Sequence, residues 1–173
     1  MRYTKRFLSF ILFVVLAGCM EKESATARQE YLRWVGDIEF NEALDNPKFK
    51  LCHGDSSVNQ YFHFGGGLQY EGEKKAILES FEKTYKPVAS NDTGLIRIRF
   101  IVNCLGKTDR FRITSMGSDF QEKKFDTRIT NQLLSITKDL NGWKILPNEE
   151  EARDYYQYLI FKIEKGAILE ILP

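Results

Sequence analysis

An α+β fold, with a three-stranded antiparallel sheet covered by helices, is predicted from three patterns in the second half of the chain. Residues 94–116, GLIRIRFIVNCLGKTDRFRITSM, contain two alternating runs joined by a glycine-containing turn. Apolar residues then recur at helical spacing over 125–140, and a last alternating run, DYYQYLIFKI, covers 154–163. Alternation is typical of half-buried strands, and spacing near 3.6 is typical of amphipathic helices. The order hairpin, helix, strand therefore predicts a sheet with a helix on one face.

The two runs of the hairpin each place one set of side chains inward and another outward. The inward set is Ile96, Ile98, Phe100, Val102, Phe111 and Ile113. The outward set is Arg97, Arg99, Arg110 and Arg112. Like charges facing each other across two strands are about 5 Å apart, which is mildly unfavourable. An acidic partner, an acidic segment of the protein's own N-terminal part, or solvation beside nearby glutamates would relieve this repulsion.

A helix follows the hairpin and is expected to cover the apolar face of the sheet. Its apolar stripe is Phe125, Ile129, Leu133, Ile136 and Leu140. Asp126 is predicted to be its N-cap, and Gly142 is expected at the C′ position. Leu159, Phe161 and Ile163 of the last run alternate inward, which predicts a third strand. Neither the helix nor the sheet can bury its apolar side alone, so the two must pack together.

The first half of the chain is predicted to be an extension, 28–90, that packs on a domain covering 91–173. A first helix is expected over the residues with helical spacing, Tyr31, Trp34, Val35 and Ile38, ending before Asn46-Pro47. Short strands are expected at 49–51 and 58–64, around a polar turn at 54–57. A second helix is indicated by Ala76, Ile77, Phe81 and Tyr85, and it ends near Pro87.

The N-terminus carries the pattern of an export signal. Basic residues precede an apolar run, 7–17, that is shorter than the roughly 20 residues of a membrane span. The residues Leu16-Ala17-Gly18-Cys19 resemble the lipobox of bacterial lipoproteins. The resemblance implies a signal peptide over 1–18, acylation of Cys19 with chains such as palmitate, and a tether over 19–27. The alternatives are a signal anchor, or cleavage elsewhere with Cys19 incidental.

The charge and the cysteines restrict the class of protein further. Removal of the first 18 residues leaves 22 basic and 24 acidic side chains, a balance that argues against a general nucleic-acid binder. Cys52 and Cys104 are then a candidate disulfide, because an exported protein lies in an oxidising compartment. Two buried free thiols or a redox pair are the alternatives, and the lack of a C-x-x-C motif argues against the redox pair.

This order of elements resembles the C-terminal domain of TonB. The stretch RFIVNCLGKTDRFRI is similar to the strand–Asn/Asp-x-x-Gly-Lys–strand core of that family. The stretch FDTRITNQLLSITKDLNGW is similar to its single helix ending in Trp, and YYQYLIFKI takes the place of its closing strand. The stretch YEGEKKAILESFEKTY is similar to the glycine-then-helix segment that precedes the hairpin in many members. The resemblance covers about residues 70–165 and implies the same α+β fold.

Departures from the family limit what the resemblance implies. Energy-transducing members have a true transmembrane helix and a long proline-rich arm, whereas this chain has a lipobox and only four prolines. An extended arm gains about 3.1 Å per residue and needs many residues to cross a compartment. Pro147 is also shifted relative to Trp143. The resemblance therefore implies the fold and the mode of binding, but not energy coupling.

The implied mode of binding is addition of an extended partner peptide to an edge strand. The predicted receiving strand is Tyr155–Ile163, whose outward residues are Tyr156, Tyr158, Ile160 and Lys162. Together with Arg97, Arg99, Arg110 and Arg112 they form the predicted partner-binding surface. The expected partner is a periplasmic or outer-membrane protein, and the expected membrane contact is the lipid anchor.

The sequence offers little for catalysis or metal binding. Cys52, His53 and Asp55 include a nucleophile, a base and a carboxylate, but neighbours on a strand point to opposite faces. His53, His63 and Asp55 lack the spacing of a metal site. The loop FGGGLQYEG lacks the phosphate-binding pattern. We therefore expect no catalytic residue, no metal and no cofactor.

Three hypotheses of function follow from these observations. The first is a lipid-anchored envelope protein, with its domain in the periplasm or at the surface, that binds a partner by strand addition in outer-membrane transport. The second is a structural envelope lipoprotein that forms a homodimer through the same strand. The third is a hydrolase or ligand carrier with a pocket near Tyr61–Tyr70. Met20 after the lipidated cysteine is not a retention signal, so the outer membrane is favoured.

Overall fold

The computed structural model describes residues 36–60, 68–147 and 152–172. Cys19, the predicted signal and tether, His63 and the start of the predicted first helix lie outside these ranges. Within the described ranges, no helix has the length and apolar character needed to cross a bilayer.

The fold is α+β, as predicted, with one antiparallel sheet of four strands rather than three. The strands are β1 (Gly94–Val102), β2 (Thr108–Gly117), β3 (Tyr155–Glu164) and β4 (Ala167–Leu172), in the order β2-β1-β3-β4. The three-stranded prediction is wrong because the chain turns back at Lys165-Gly166, where φ is 48° and 78°. Two left-handed residues are the geometry of a tight hairpin turn. A side chain at Gly166 would also collide with the carbonyl oxygen of Val88.

Two helices, α1 (Glu73–Thr84) and α2 (Thr127–Asp139), cover one face of the sheet. The predicted N-cap of α2 is confirmed, because the Asp126 carboxylate accepts the backbone N–H of Arg128 at 2.8 Å. The predicted role of Gly142 is wrong, since the C-cap is Leu140 and Gly142 does not adopt a left-handed conformation. A Cβ atom there would lie 2.9 Å from the Tyr70 ring, so Gly142 instead permits close packing.

The main core lies between the helices and the inward face of the sheet. Its fully buried members are mostly the residues that strand alternation and helical spacing predict: Ile96, Ile98, Phe100, Val102, Leu159, Phe161, Ile163, Ile129 and Leu133. Phe111 stacks on Phe100 with ring centroids 5.0 Å apart. Ile113, also predicted to point inward, is 36% exposed on strand β2.

The segment 36–60 covers the outward face of the sheet without forming regular structure. The predicted first helix does not continue into 36–46. Of the strands predicted at 49–51 and 58–64, neither forms within the described residues, and 61–64 lie outside them. A short 3₁₀ turn, Asp55–Ser57, and one bridge from Asn59 to Tyr155 take their place. The segment contributes a second, smaller core whose buried residues are Ile38, Val58, Ile101 and Tyr156. The positions of the apolar residues in 36–60 are therefore set by contacts with the sheet and do not alternate as they would in a strand.

Candidate functional site

Strand β3, the predicted receiving edge, is an interior strand. Strand β1 pairs with it over its whole length from Tyr155 to Ile163, and β4 pairs with the residues from Ile160 to Glu164 on the other side. Near the start of β3, the backbone N–H of Tyr156 donates to the oxygen of Asn59 at 2.9 Å. The prediction that this strand is an edge is therefore wrong, because β4 follows it in the chain and pairs with the side away from β1.

The outward residues of β3 are only partly accessible. Tyr156 is 2% exposed, and its hydroxyl accepts the backbone N–H of Ile38 at 3.1 Å. Burial raises the pKa of the Tyr156 hydroxyl. Tyr158 and Ile160 are partly buried, and Lys162 is exposed. Of the four β3 residues predicted to contact a partner, Lys162 alone is exposed.

The four outward arginines lie on one face, as the alternation predicts, but three of them are buried. Arg97, Arg99 and Arg110 are 6%, 8% and 8% exposed. Burial lowers the pKa of Arg97 to about 10, with a further contribution from the like charge of Arg99. Burial also lowers the pKa of Arg99. Three of the four arginines are therefore too buried to contact an acidic partner directly.

The protein's own N-terminal segment compensates these arginine charges. Asp45, whose side chain is 1% exposed, accepts two hydrogen bonds of 2.7 Å from the guanidinium of Arg112. Arg110 pairs with Asp55, and Arg99 donates to the backbone oxygen of Gly36 at 2.6 Å. Of the three ways to relieve the repulsion that the sequence left open, the structure uses the acidic N-terminal segment.

Two tyrosines of β3 complete this arrangement. The guanidinium of Arg97 lies 4.3 Å from the ring centroid of Tyr158, and that of Arg99 lies 5.0 Å from the ring of Tyr156. Such cation–π contacts are favourable, and more so when water is excluded. The predicted binding residues of β1 and β3 therefore contact each other between these neighbouring strands, on the same face of the sheet.

Cys52 and Cys104 are paired, as predicted, with their sulfurs at bonding distance and their Cα atoms 6.1 Å apart. The carboxylate of Asp154, a fully buried residue, accepts the backbone N–H groups of Cys52, His53 and Cys104 at 2.7, 2.9 and 2.9 Å. Three donors reach one carboxylate because the chain around Cys52, the chain around Cys104 and the residue before β3 lie next to each other. Sequence patterns did not identify Asp154, since its partners are backbone groups.

The groups that resembled a catalytic trio are engaged in other contacts. The sulfur of Cys52 is bonded to Cys104, and the carboxylate of Asp55 pairs with Arg110. His53 Nε2 lies 2.7 Å from the backbone oxygen of Ala152 and donates to it. Among the described residues, one group of potential metal-ligand side chains comes together: Cys52, Cys104 and Asp154. The two cysteine sulfurs of this group are bonded to each other in the disulfide.

The two edges of the sheet differ in how they are covered. The chain after β2 folds back along that strand, where Lys123 N donates to Ser115 O at 3.2 Å and Gly117 N donates to Gln121 O at 2.9 Å. Strand β4 has β3 on one side, and within the described residues no other backbone hydrogen bond reaches it. Strand β4 is therefore open on the side away from β3, whereas β2 is covered, among the described residues, only at 115–117.

A groove of about 300 Å³ lies beside this open edge, between α1 and β4. Its apolar lining comes from Leu78, Phe81, Tyr85, Pro87, Ile168 and Ile171. Leu169 also lines it and is 57% exposed. Two carboxylates, those of Glu82 and Glu170, complete the lining, and both residues are exposed. Unpaired strand backbone, apolar groove and acidic groups thus occur together at one edge.

Comparison of the chain with models of protein families, with curated proteins and with solved structures finds no match.

Proposed function

We propose that this protein is a lipid-anchored envelope protein that binds an extended segment of a periplasmic or outer-membrane protein by strand addition at β4, in outer-membrane transport. The observation that carries the proposal is the open edge of β4 beside an apolar groove. The lipobox-like Leu16–Cys19 supports the lipid anchor. The resemblance to the C-terminal domain of TonB supports the mode of binding.

Strand addition determines the chemistry of the partner. An added strand pairs through its backbone, and its alternate side chains point to the same face of the sheet. On the α1 side of β4 those side chains enter the apolar groove, so they should be apolar. Glu82 and Glu170 favour a lysine or arginine nearby. The expected ligand is an extended segment with alternating apolar residues and at least one basic residue.

A second copy of this chain fits the same edge less well. The sequence of β4 is AILEIL, which contains one acidic and no basic side chain. Two copies paired through β4 would bring Glu170 and Glu82 of both chains to one region. Like charges close together oppose association, so a different protein is favoured over self-association.

The proposal is tested by photo-crosslinking in cells, followed by binding measurements on the purified partner. A photoreactive phenylalanine at Leu169 should give a discrete adduct with another protein, and the same probe at Phe120, which is 74% exposed, should not. Lysine on an edge strand opposes pairing, so Leu169→Lys should weaken binding of that partner about tenfold, whereas Phe120→Lys should not. Equal adducts at both positions, or no effect of Leu169→Lys, would contradict the proposal. An adduct between two copies of this chain would instead establish self-association.

A further inference from the structure

A second concave site lies at the opposite end of the sheet from the β3–β4 turn. It is a cleft of about 670 Å³ lined by three segments: 46–52, the β1–β2 connection at 103–109, and the end of α2 at 138–141. Clefts of roughly 300–1,000 Å³ are the usual size of small-molecule sites. The strand-addition proposal makes no use of this cleft.

The charged lining of the cleft is almost entirely basic. It consists of Lys48, Lys50, Lys107, Lys138 and one acidic residue, Asp109. The carboxylate of Asp109 accepts the backbone N–H of Asn46 at 3.0 Å and that of Arg110 at 2.7 Å. None of the four lysines forms an ion pair among the described residues. The four lysines that line the cleft therefore have no carboxylate partner among the described residues, and the Lys138 ammonium lies 5.4 Å from the ring centroid of Phe111.

The walls that carry these lysines are held in fixed positions. The Cys52–Cys104 disulfide joins the first segment to the β1–β2 connection. The amide of Asn103 also joins them, because its Nδ2 donates to the backbone oxygen of Lys50 at 2.9 Å. Its Oδ1 accepts the backbone N–H of Lys107 at 2.9 Å. A site whose walls are already ordered loses less entropy when a ligand binds.

The remaining lining supplies an apolar surface. Phe49 and Leu51 come from the first segment, and Leu105, which is 66% exposed, comes from the β1–β2 connection. The lining contains lysine but no arginine. Lysine acts as a compact point charge and is a common ligand of phosphate groups, without the planar geometry that arginine imposes. The ligand chemistry that fits is therefore phosphate groups attached to a partly apolar body.

We propose that this cleft binds a phosphate-bearing anionic ligand through Lys48, Lys50, Lys107 and Lys138. The phosphate groups lie among the four lysines, and the apolar part of the ligand lies against Phe49, Leu51 and Leu105. A soluble phosphate ester and a phospholipid headgroup share this chemistry. Binding should weaken as salt is added, because exposed charges are screened within about 10 Å at 0.1 M salt.

The test uses purified full-length protein and calorimetric titration with two probes. Inorganic tripolyphosphate represents soluble polyanions, and dihexanoyl phosphatidylglycerol, dispersed as monomers, represents a phospholipid headgroup. The double variant Lys107→Gln/Lys138→Gln removes two cleft charges. The control, Lys83→Gln/Lys124→Gln, removes two exposed charges outside the cleft. Circular dichroism and the urea midpoint should be the same for both variants, since all four side chains are on the surface.

The expected result is salt-sensitive binding of at least one probe that weakens about tenfold or more in the cleft variant, because each replaced lysine removes a charge-assisted hydrogen bond. The control variant should bind as the unaltered protein does. Preference for tripolyphosphate would indicate a soluble ligand, and preference for the lipid would indicate a headgroup. Absence of binding to both probes, or equal weakening in the control variant, would overturn the proposal.

Discussion

Replacing Asp45 by asparagine keeps the size of the side chain and removes the carboxylate that pairs with Arg112. The carboxylate accepts two hydrogen bonds of 2.7 Å from the guanidinium and one of 2.8 Å from the backbone N–H of Asn41. The Asp45 side chain is 1% exposed and that of Arg112 is 25% exposed. Breaking a fully buried pair costs about 3–5 kcal/mol. Because Arg112 keeps some contact with water, we expect a loss of about 2–3 kcal/mol in the free energy of unfolding.

The loss is measured by urea unfolding at neutral pH, with Glu42→Gln as the control on the same segment. Glu42 is exposed, so its replacement should change the free energy of unfolding by less than about 0.5 kcal/mol. A double-mutant cycle with Arg112→Gln should give a coupling energy of about 1 kcal/mol or more. A loss below 0.5 kcal/mol for Asp45→Asn, or a coupling energy near zero, would refute the conclusion that this pair holds the segment on the sheet.

The pH dependence of the same variant provides an independent check. The hydrogen bonds from Arg112 lower the pKa of the Asp45 carboxyl below its ordinary value of 3.8. A carboxyl group with a lowered pKa in the folded state stabilises the fold above its unfolded pKa. The difference in stability between the unaltered protein and Asp45→Asn should therefore be full at neutral pH. It should shrink as the pH falls below 3.8 and through the folded-state pKa.

Three further predictions concern the elements around the disulfide and α2. Replacing Cys52 and Cys104 by serine should lower the free energy of unfolding by up to about 4 kcal/mol, since the bond closes a loop with a separation of 52 residues. Thermal unfolding measures this loss, and an unchanged Tm would contradict the prediction. Asp154→Asn leaves fewer acceptors for three backbone N–H groups, so it should lower the free energy of unfolding by about 2 kcal/mol. Amide exchange at Cys52 should become faster, and unchanged exchange would contradict this role of Asp154. Gly142→Ala should cost about 1–3 kcal/mol by displacing the ring of Tyr70, and an unchanged urea midpoint would argue against close packing there.

The hairpin, α2 and β3 could be predicted from the sequence because each has a clear period and buries one side. Strand β4 was missed, although Lys165-Gly166 followed by AILEIL has the pattern of a tight hairpin. The resemblance covers only about residues 70–165 and therefore implies no strand beyond them. The position of the open edge therefore depended on six residues at the end of the chain.

The arginine face shows a different limit of sequence reasoning. Alternation correctly assigned Arg97, Arg99, Arg110 and Arg112 to one face, because side-chain direction is a local property of a strand. What covers that face is decided by contacts more than 50 residues apart in sequence, such as that between Arg112 and Asp45. The covering segment has no regular period, so its pairing with the sheet could not be derived from local patterns.

The central claim is that β4 is the strand that receives the partner. Amide hydrogen exchange of the full-length protein, with and without the partner captured at Leu169, tests it most directly. The account predicts slower exchange in residues 167–172 when the partner is bound, because the unpaired backbone of β4 becomes hydrogen-bonded. Unchanged exchange in β4, together with new protection along β2 or over segment 36–60, would contradict it.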